Sequence, residues 1–84
     1  MNDTELRDRR LVYKARRGLK EIDFFLDPYI RGHFAQASEQ EKQALDRLLD
    51  AEDPDLMDWF LGASSPSDLE LMALVDRIRA LKTN

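Results

Sequence analysis

Positively charged side chains are concentrated in one part of this chain, the stretch KARRGLKEID at residues 14–23 and the segment just before it. Between residues 7 and 17 there are five arginines and one lysine, with Tyr13 among them. A guanidinium is a planar fork that favours bidentate hydrogen bonds to carboxylates or phosphates. Arginine and tyrosine are also enriched where proteins contact one another. The segment is therefore typical of a surface that recognises an anionic partner.

A glycine stands between an arginine and a glutamate in this stretch, at Arg17, Gly18 and Glu21. Because Gly18 has no side chain, another backbone can come close to it. Glu21 is placed to accept hydrogen bonds from free amides in the first turn of a following helix, or to hold Arg17 across the corner. These residues leave two interpretations open: a binding surface, or a solvated helix face that ends in a well-formed corner.

Residues suited to bond-making chemistry are scarce. The only histidine, His33, precedes an aromatic residue, and we interpret it as structural. The absence of cysteine excludes disulfides and thiolate metal sites. The sequence contains no glycine-rich phosphate loop and no nucleophile with a base at a recognisable spacing. We interpret the acidic residues at 52–58 as complements of a helix dipole and Trp59 as a core anchor, so we expect neither catalysis nor a metal site.

Charge is distributed unevenly along the chain, whose net charge is −4. Residues 1–20 contain seven Lys and Arg against three acids, a net charge of +4, whereas residues 21–84 contain six against fourteen, a net charge of −8. The overall negative charge opposes non-specific binding to nucleic acid. The basic N-terminal part favours a partner with locally concentrated negative charge.

Scarce glycine and the absence of strand-like alternation predict an all-α protein of about five helices. The first helix is expected from Glu5 to Arg17, with Gly18 as the left-handed residue just beyond its end. The second is expected to begin at Gly18 or Leu19 and to end at Gly32. Within it, Asp27-Pro28 is expected either to kink the helix or to restart it.

Three further helices follow from local signals. Ser38 to Glu41 fits a capping box, which places the third helix start at Ser38. Asp53-Pro54 is expected to open a fourth helix that runs to Leu61 and stops at Gly62. Ser65-Pro66 is expected to open the fifth. Apolar residues at helical spacing are expected to give the later helices buried faces; they are Leu19, Ile22, Phe25, Leu26, Ala44, Leu45, Leu48, Leu49, Leu71, Leu74, Val75, Ile78 and Leu81.

The first helix is predicted to have two contrasting faces. Leu11, Val12 and Ala15 share one face, which we expect to be buried. The opposite face carries the residues that could contact a partner: Arg10, Tyr13, Lys14 and Arg17.

The length of 84 residues predicts one domain over residues 1–84, with a helical core at about 5–82. A core of this size leaves little room for a deep catalytic pocket, which favours a binding or adaptor protein. No apolar run is long enough to span a membrane, and three acids among the first eight residues are unlike a secretory or transit signal. We therefore expect a cytoplasmic protein.

The corner residues Arg17, Gly18 and Glu21 resemble the Arg-Gly-x-x-Glu motif of the small FAD assembly factors of succinate dehydrogenase, the SdhE type. The wider stretch RRGLKEID is similar to the opening corner of that family. Three later stretches resemble the family in place and order: SEQEKQALDRLLD, DPDLMDWFLG and SPSDLELMALVDRIRAL. The resemblance covers about residues 5–82. Leu19 stands where relatives often have methionine, an apolar exchange that leaves the motif intact.

The resemblance implies a five-helix protein without enzymatic activity. It implies binding to the flavoprotein subunit of succinate dehydrogenase, and in some bacteria of fumarate reductase, and promotion of covalent FAD attachment to a histidine of that subunit. Partner-binding roles are implied for Arg17, Gly18 and Glu21 and, on less specific matches, for Arg10 and Tyr13. FAD is not expected to bind stably to this chain. The free chain is expected to be a monomer that neither binds nucleic acid nor inserts into a membrane.

Two rival interpretations remain at this point. A small nucleic-acid-binding or adaptor protein could use the arginine-rich helix, although the net charge and the acids beyond the corner oppose it. A flavin carrier could bind FAD directly, although the sequence lacks a phosphate loop and an evident aromatic slot.

Overall fold

The part of the chain that the structure describes folds into five helices that enclose one core. A computed structural model describes residues 2–83, with side chains through residue 81. The helices are α1 (Asp3–Lys14), α2 (Lys20–Gly32), α3 (Glu39–Leu48), α4 (Asp53–Leu61) and α5 (Leu69–Thr83), and a 3-10 turn, Phe34–Gln36, follows α2. The described residues contain no strand, so the predicted all-α class is confirmed. The predicted domain limits, residues 1 and 84, lie outside the described residues.

The core is centred on α2, which packs against α4, α5 and the 3-10 turn, while α5 also packs against α3 and α4. In α2 the side chains of Ile22, Leu26 and Tyr29 recur every three or four residues and are fully buried. Burying an aliphatic or aromatic side chain of this size contributes about 1.5–3 kcal/mol. Across the described helices, the fully buried large side chains are Tyr29, Phe60, Leu11, Ile22, Leu26, Leu45, Leu48, Leu49, Leu56 and Ile78.

The limits of α3 and α4 agree with the sequence-based prediction because their signals are local. The Ser38 hydroxyl accepts a hydrogen bond from the Glu41 N–H at 3.1 Å, as an N-cap should. The reciprocal half of the capping box is not formed, because the Glu41 carboxylate accepts from the Tyr29 hydroxyl at 2.5 Å and from Arg77 instead. At the end of α4, Gly62 takes the left-handed conformation with φ 80°.

One expected feature of α1 and one of α2 are wrong: the end of α1, and the burial of Leu19, which is 38% exposed. Helix α1 ends at Lys14, with Ala15 as its C-cap, three residues before the expected end at Arg17. The reason is that Ala15 is buried in the core and the chain then leaves the helix to form longer-range contacts. Helix α2 does not restart at Pro28 but continues through it to Gly32.

The expected start of α5 at Ser65-Pro66 is also wrong, because the helix begins at Leu69. The carboxylate of Asp68 accepts hydrogen bonds from the N–H groups of Glu70 at 2.8 Å and Leu71 at 3.2 Å. Asp68 therefore acts as the N-cap. Pro66 is buried outside the helix.

Helix α1 is tied to α3 by ion pairs between long side chains: Arg7 with Glu39, Lys42 with Asp8, and Lys14 with Asp46 and Asp50. The Arg7 guanidinium contacts both Glu39 oxygens, at 2.5 and 2.8 Å. These hydrogen bonds hold the pKa of Glu39 at about 2, well below its ordinary value. The hydrogen bond from Lys42 lowers the pKa of Asp8 in the same way.

We expect stability to fall as pH is lowered from 4.5, the ordinary pKa of a glutamate, to about 2, the pKa of folded Glu39. The pKa of this carboxyl is lower in the folded state, so the unfolded chain binds more protons in this window and acid favours unfolding.

Thermal melting at pH values from 6 down to 2, measured for the wild type and Glu39→Gln, tests this expected loss of stability. The variant should lose less stability across the window. A matched change, Glu52→Gln, removes a carboxylate with no ion pair among the described residues and should retain the wild-type slope. Equal slopes for all three proteins would contradict the assignment.

In the part of the chain that the structure describes, no helix has both the length and the apolar character needed to cross a membrane.

Candidate functional site

The corner between α1 and α2, residues 15–19, reverses the chain through one left-handed residue. Gly18 has φ 74°, a conformation that residues with a Cβ seldom adopt. An added Cβ at Gly18 would meet no atom within 4 Å, so the space in front of it is open. Leu19 is extended and forms the N-cap of α2, without a side-chain hydrogen bond. The corner is closed by the Asp23 carboxylate, which accepts the Arg17 backbone N–H at 3.3 Å.

The side chain of Arg17 turns inward, toward the loop between α3 and α4. Its Nη2 donates to the carbonyl oxygen of Leu49 and, at 3.3 Å, to that of Ala51. Its Nη1 lies 3.7 Å from Oδ1 of Asp53. Only 19% of the side chain is exposed. Arg17 therefore satisfies carbonyls left free at the end of α3 and connects the corner to the start of α4.

Two buried polar atoms at this contact have no hydrogen-bond partner within the described residues: Nε of Arg17 and Oδ1 of Asp53. The separation of 3.7 Å between Nη1 of Arg17 and this oxygen is too long for a hydrogen bond. The carboxylate thus interacts with the guanidinium by charge, while the Leu49 and Ala51 carbonyls fix its orientation.

Arg10, Tyr13 and Glu21 are exposed and have no hydrogen bond or ion pair among the described side chains. Tyr13 is 80% exposed, which is high for an aromatic side chain. Glu21 contacts neither Arg17 nor the free amides of α2 in the described structure, so neither of its expected intramolecular roles is observed. We call Arg10, Tyr13, Gly18 and Glu21 the docking surface.

The expectation that Arg10, Tyr13, Lys14 and Arg17 share one outward face is wrong for Arg17, and Lys14, which lines one cavity with Arg10, is paired with acids. The Lys14 ammonium is 2.8 Å from Asp46 and 2.5 Å from Asp50, and these hydrogen bonds raise its pKa. Because α1 ends at Lys14, Arg17 no longer follows the helical wheel. The cations near the corner therefore divide into an inward set, which includes Lys14 and Arg17, and an outward set, which includes Arg10.

Arg9 and Arg16 belong to the outward set, although sequence reasoning did not select them as site residues. Both are exposed and have no ion pair within the described part of the chain. They are seven residues apart, the same spacing as Arg10 and Arg17, so the helical period alone could have pointed to them.

The other residues considered for catalysis or metal binding have ordinary structural surroundings. His33 is exposed, with its ring centroid 6.5 Å from that of Tyr29. Trp59 is half-buried and packs against the core, and Asp53 and Asp55 are in the first turn of α4. Among the described residues, no group of three or more His, Cys, Asp or Glu could hold a metal ion. The corner can therefore recognise a partner through charge, hydrogen bonds and a close backbone approach.

Comparison with known proteins identifies the family of this chain. Residues 9–82 match a protein family described as "Flavinator of succinate dehydrogenase". The chain is 43% identical over 74 residues to the FAD assembly factor SdhE of Acinetobacter baylyi, covering 88% of this chain and 87% of that protein. It is 45% identical over 71 residues to the protein of that name from Psychrobacter arcticus, covering 84% of this chain and 76% of the relative.

A third FAD assembly factor SdhE, from Methylococcus capsulatus, is 42% identical over 72 residues, covering 86% of this chain and 87% of the relative. The matched region contains the second half of α1, the whole α1–α2 corner, all of α2, α3 and α4, and α5 up to its last residue. The chain belongs to the family of flavinators of succinate dehydrogenase, the FAD assembly factors of the SdhE type.

Proposed function

We propose that this chain binds the flavoprotein subunit of succinate dehydrogenase and promotes covalent attachment of FAD to that subunit, without catalysing the reaction itself. Family membership supports succinate dehydrogenase as the client and FAD as the group that is attached. The observation on which the binding site rests is the docking surface, in which Arg10, Tyr13 and Glu21 are exposed and the approach to Gly18 is open. These residue types recognise a protein surface but include no nucleophile paired with a base.

The geometry of the docking surface suits a contact that forms and is later released. Arg10 supplies a charged fork and Tyr13 a large amphipathic ring, two residue types that dominate binding energy at interfaces. Gly18 lets a backbone of the partner approach the corner. Glu21 supplies an acceptor for a hydrogen-bond donor of the partner. A contact with this much polar character is typical of transient complexes.

The effect on flavin attachment would be conformational. A protein that binds one arrangement of its client more tightly than others raises the population of that arrangement. If the favoured arrangement juxtaposes the flavin with its attachment residue, the reaction is accelerated by proximity and orientation. The bond-making groups then belong to the client, and this chain contributes differential binding.

We propose further that this chain does not hold FAD stably. The cavity nearest Gly18, about 300 Å³ in volume, is lined by the carboxylates of Asp23 and Asp27 as well as by Arg16 and Arg31. The two arginines and two carboxylates of this lining balance in charge, and the sequence contains no glycine-rich loop to hold a dinucleotide pyrophosphate. Equilibrium dialysis of the chain against FAD should leave no bound flavin at micromolar concentrations. Retention of FAD would instead support the flavin-carrier interpretation.

Arg10→Ala should weaken binding to the apo-flavoprotein subunit by at least about tenfold, as expected for an arginine at the centre of an interface. It should leave the free energy of unfolding within about 0.5 kcal/mol of wild type, because Arg10 is exposed and has no partner among the described residues. Titration calorimetry with the purified apo-subunit and thermal melting of the free chain measure the two quantities.

Arg79→Ala is the matched control, since Arg79 on α5 is also exposed and without an ion pair within the described residues. This variant should bind the subunit like wild type. Equal affinities for Arg10→Ala, Arg79→Ala and the wild type would contradict the docking surface, although not the family assignment.

The family resemblance extends the proposal to fumarate reductase, and the same titration with its flavoprotein subunit tests that second client. We propose that the chain acts as a monomer in the bacterial cytoplasm, in keeping with the bacterial origin of the relatives named above. Light scattering of the free chain should give a mass of about 9.8 kDa.

A further inference from the structure

Two adjoining grooves lie beside the docking surface, on the side of α1 that faces α2. One, about 340 Å³, includes Tyr13 in its lining. The other, about 300 Å³, includes Gly18 and Ile30. Val12 and Arg16 line both grooves, so the two form one continuous depression that leads away from the corner. We call this depression the α1–α2 groove.

The groove is built from two facing stripes of side chains. On the α1 side, positions 9, 12 and 16 are three or four residues apart, and on the α2 side positions 23, 27 and 30 have the same spacing. Its floor is apolar: Ala15 is buried, and Val12 and Ile30 are half-buried and pack against the core. The floor can therefore receive an apolar side chain of a partner.

Three arginines border this apolar floor: Arg9 and Arg16 from the α1 side and Arg31 from α2. All three are exposed, and none has a hydrogen bond or ion pair among the side chains that the structure describes. Asp8, which also lines the groove, is neutralised by Lys42 at 2.9 Å. The groove lining thus carries three unpaired cations against the two carboxylates of Asp23 and Asp27.

We propose that the α1–α2 groove binds an acidic segment of the flavoprotein subunit, a proposal that rests on the function proposed above. An apolar side chain of the segment lies against Val12 and Ile30. Carboxylates on either side of it pair with Arg9, Arg16 and Arg31. Bidentate pairing between a guanidinium and a carboxylate gives such a segment a fixed register.

Two features favour this occupant over others. The groove is continuous with the docking surface at Gly18, so one partner can cover both. A nucleic acid is disfavoured because Asp23 and Asp27 also line the groove and interrupt the positive charge that a phosphate backbone requires. A segment of a protein can place its carboxylates opposite the arginines and uncharged residues opposite Asp23 and Asp27.

Charge reversal at the groove tests the proposal. Arg16→Glu and Arg31→Glu should each weaken binding of the purified apo-flavoprotein subunit by at least about tenfold, since like charges across an interface repel. The salt dependence of the remaining affinity should also decrease. The matched control Arg79→Glu reverses an unpaired arginine on α5, which contributes no residue to the groove, and should bind like wild type. Circular dichroism melting establishes that each variant is folded.

A photo-crosslinking experiment identifies the occupant. The photoreactive residue p-benzoylphenylalanine is introduced at Arg31, beyond the docking surface, and in a control protein at Leu69, which is 79% exposed on α5. Irradiation with the apo-subunit should crosslink position 31, and not position 69, to a peptide that contains acidic residues. A crosslink to a second copy of this chain, to an added DNA duplex, or to a peptide without acidic residues would overturn the proposal.

The outcomes separate this inference from the proposed function. If the wild type does not bind the apo-subunit at all, the proposed function fails and the groove proposal fails with it. If the wild type binds, Arg10→Ala weakens binding, and both Arg16→Glu and Arg31→Glu bind normally, only the groove proposal is overturned.

Discussion

Replacing Arg17 with alanine is expected to lower the free energy of unfolding by about 2–3 kcal/mol, because the variant leaves two backbone carbonyls without their charged donor and a carboxylate without its neighbouring positive charge. The guanidinium donates to the Leu49 and Ala51 carbonyls and lies 3.7 Å from Asp53. No other described side chain replaces it. In a domain of this size the loss corresponds to a melting temperature lower by about 8–20 °C.

Two variants, Arg17→Lys and Arg10→Ala, provide the controls. Arg17→Lys retains a charge but not the fork that reaches two carbonyls, so its stability should fall between that of the wild type and that of Arg17→Ala. Arg10→Ala should change the free energy of unfolding by no more than about 0.5 kcal/mol. If Arg17→Ala and Arg10→Ala melted at the same temperature as wild type, Arg17 would not be the structural connection inferred from its contacts.

Gly18→Arg is expected to abolish stimulation of covalent FAD attachment while the chain remains folded. The left-handed conformation at Gly18 strains any residue with a Cβ by about 1–2 kcal/mol, but no atom lies within 4 Å of the added Cβ, so no clash prevents folding. The new side chain would fill the open approach to the corner and keep the partner's backbone away. Covalent flavin in the client subunit, measured after incubation of purified components, reports the loss.

Gly62→Ala separates the effect of backbone strain from the effect of a blocked surface. Gly62 is also left-handed, with φ 80°, and its added Cβ would meet the flexible end of the Arg79 side chain at 2.8 Å. This variant should lose a similar amount of stability and yet support full flavin attachment. If Gly62→Ala and Gly18→Arg impaired attachment equally, strain and not contact would explain both.

The parts of the fold that could be predicted from the sequence are those fixed by neighbours in the chain. Ser38 caps α3, and Gly62 ends α4, because each acts on amides or carbonyls within one turn. The end of α1 could not be predicted in this way. Arg17 leaves the helix to reach carbonyls 32 and 34 residues later in the chain, and no local pattern specifies such a contact.

The start of α5 shows how two local signals can compete. Ser65-Pro66 and Asp68 both fit the start of a helix, and sequence reasoning chose the first. The structure uses Asp68, whose carboxylate accepts from two N–H groups, while Pro66 is buried. Which of the two signals begins α5 depends on where the chain packs against the core, and residue spacing alone does not predict that position.

The candidate site was predictable in its residue types but not in their directions. The helical wheel placed Arg10 and Arg17 on one face, whereas Arg17 lies beyond the end of α1 and turns inward to the Leu49 and Ala51 carbonyls. Arg16 was grouped with the other arginines by composition, and only the tertiary structure shows that it borders a groove against α2. The partner-binding roles of Arg17, Gly18, Glu21 and their neighbours stay predictions until binding is measured.

Covalently bound flavin in the succinate dehydrogenase flavoprotein, measured by its fluorescence after denaturing electrophoresis, tests the central claim most directly. The subunit is taken from a strain that lacks this chain and is complemented with the wild type or with Glu21→Ala, a variant whose fold should be intact because Glu21 has no partner among the described residues. We expect full fluorescence with the wild type and near-background fluorescence with Glu21→Ala. Full fluorescence with Glu21→Ala, or in the strain without any copy of the chain, would contradict the account.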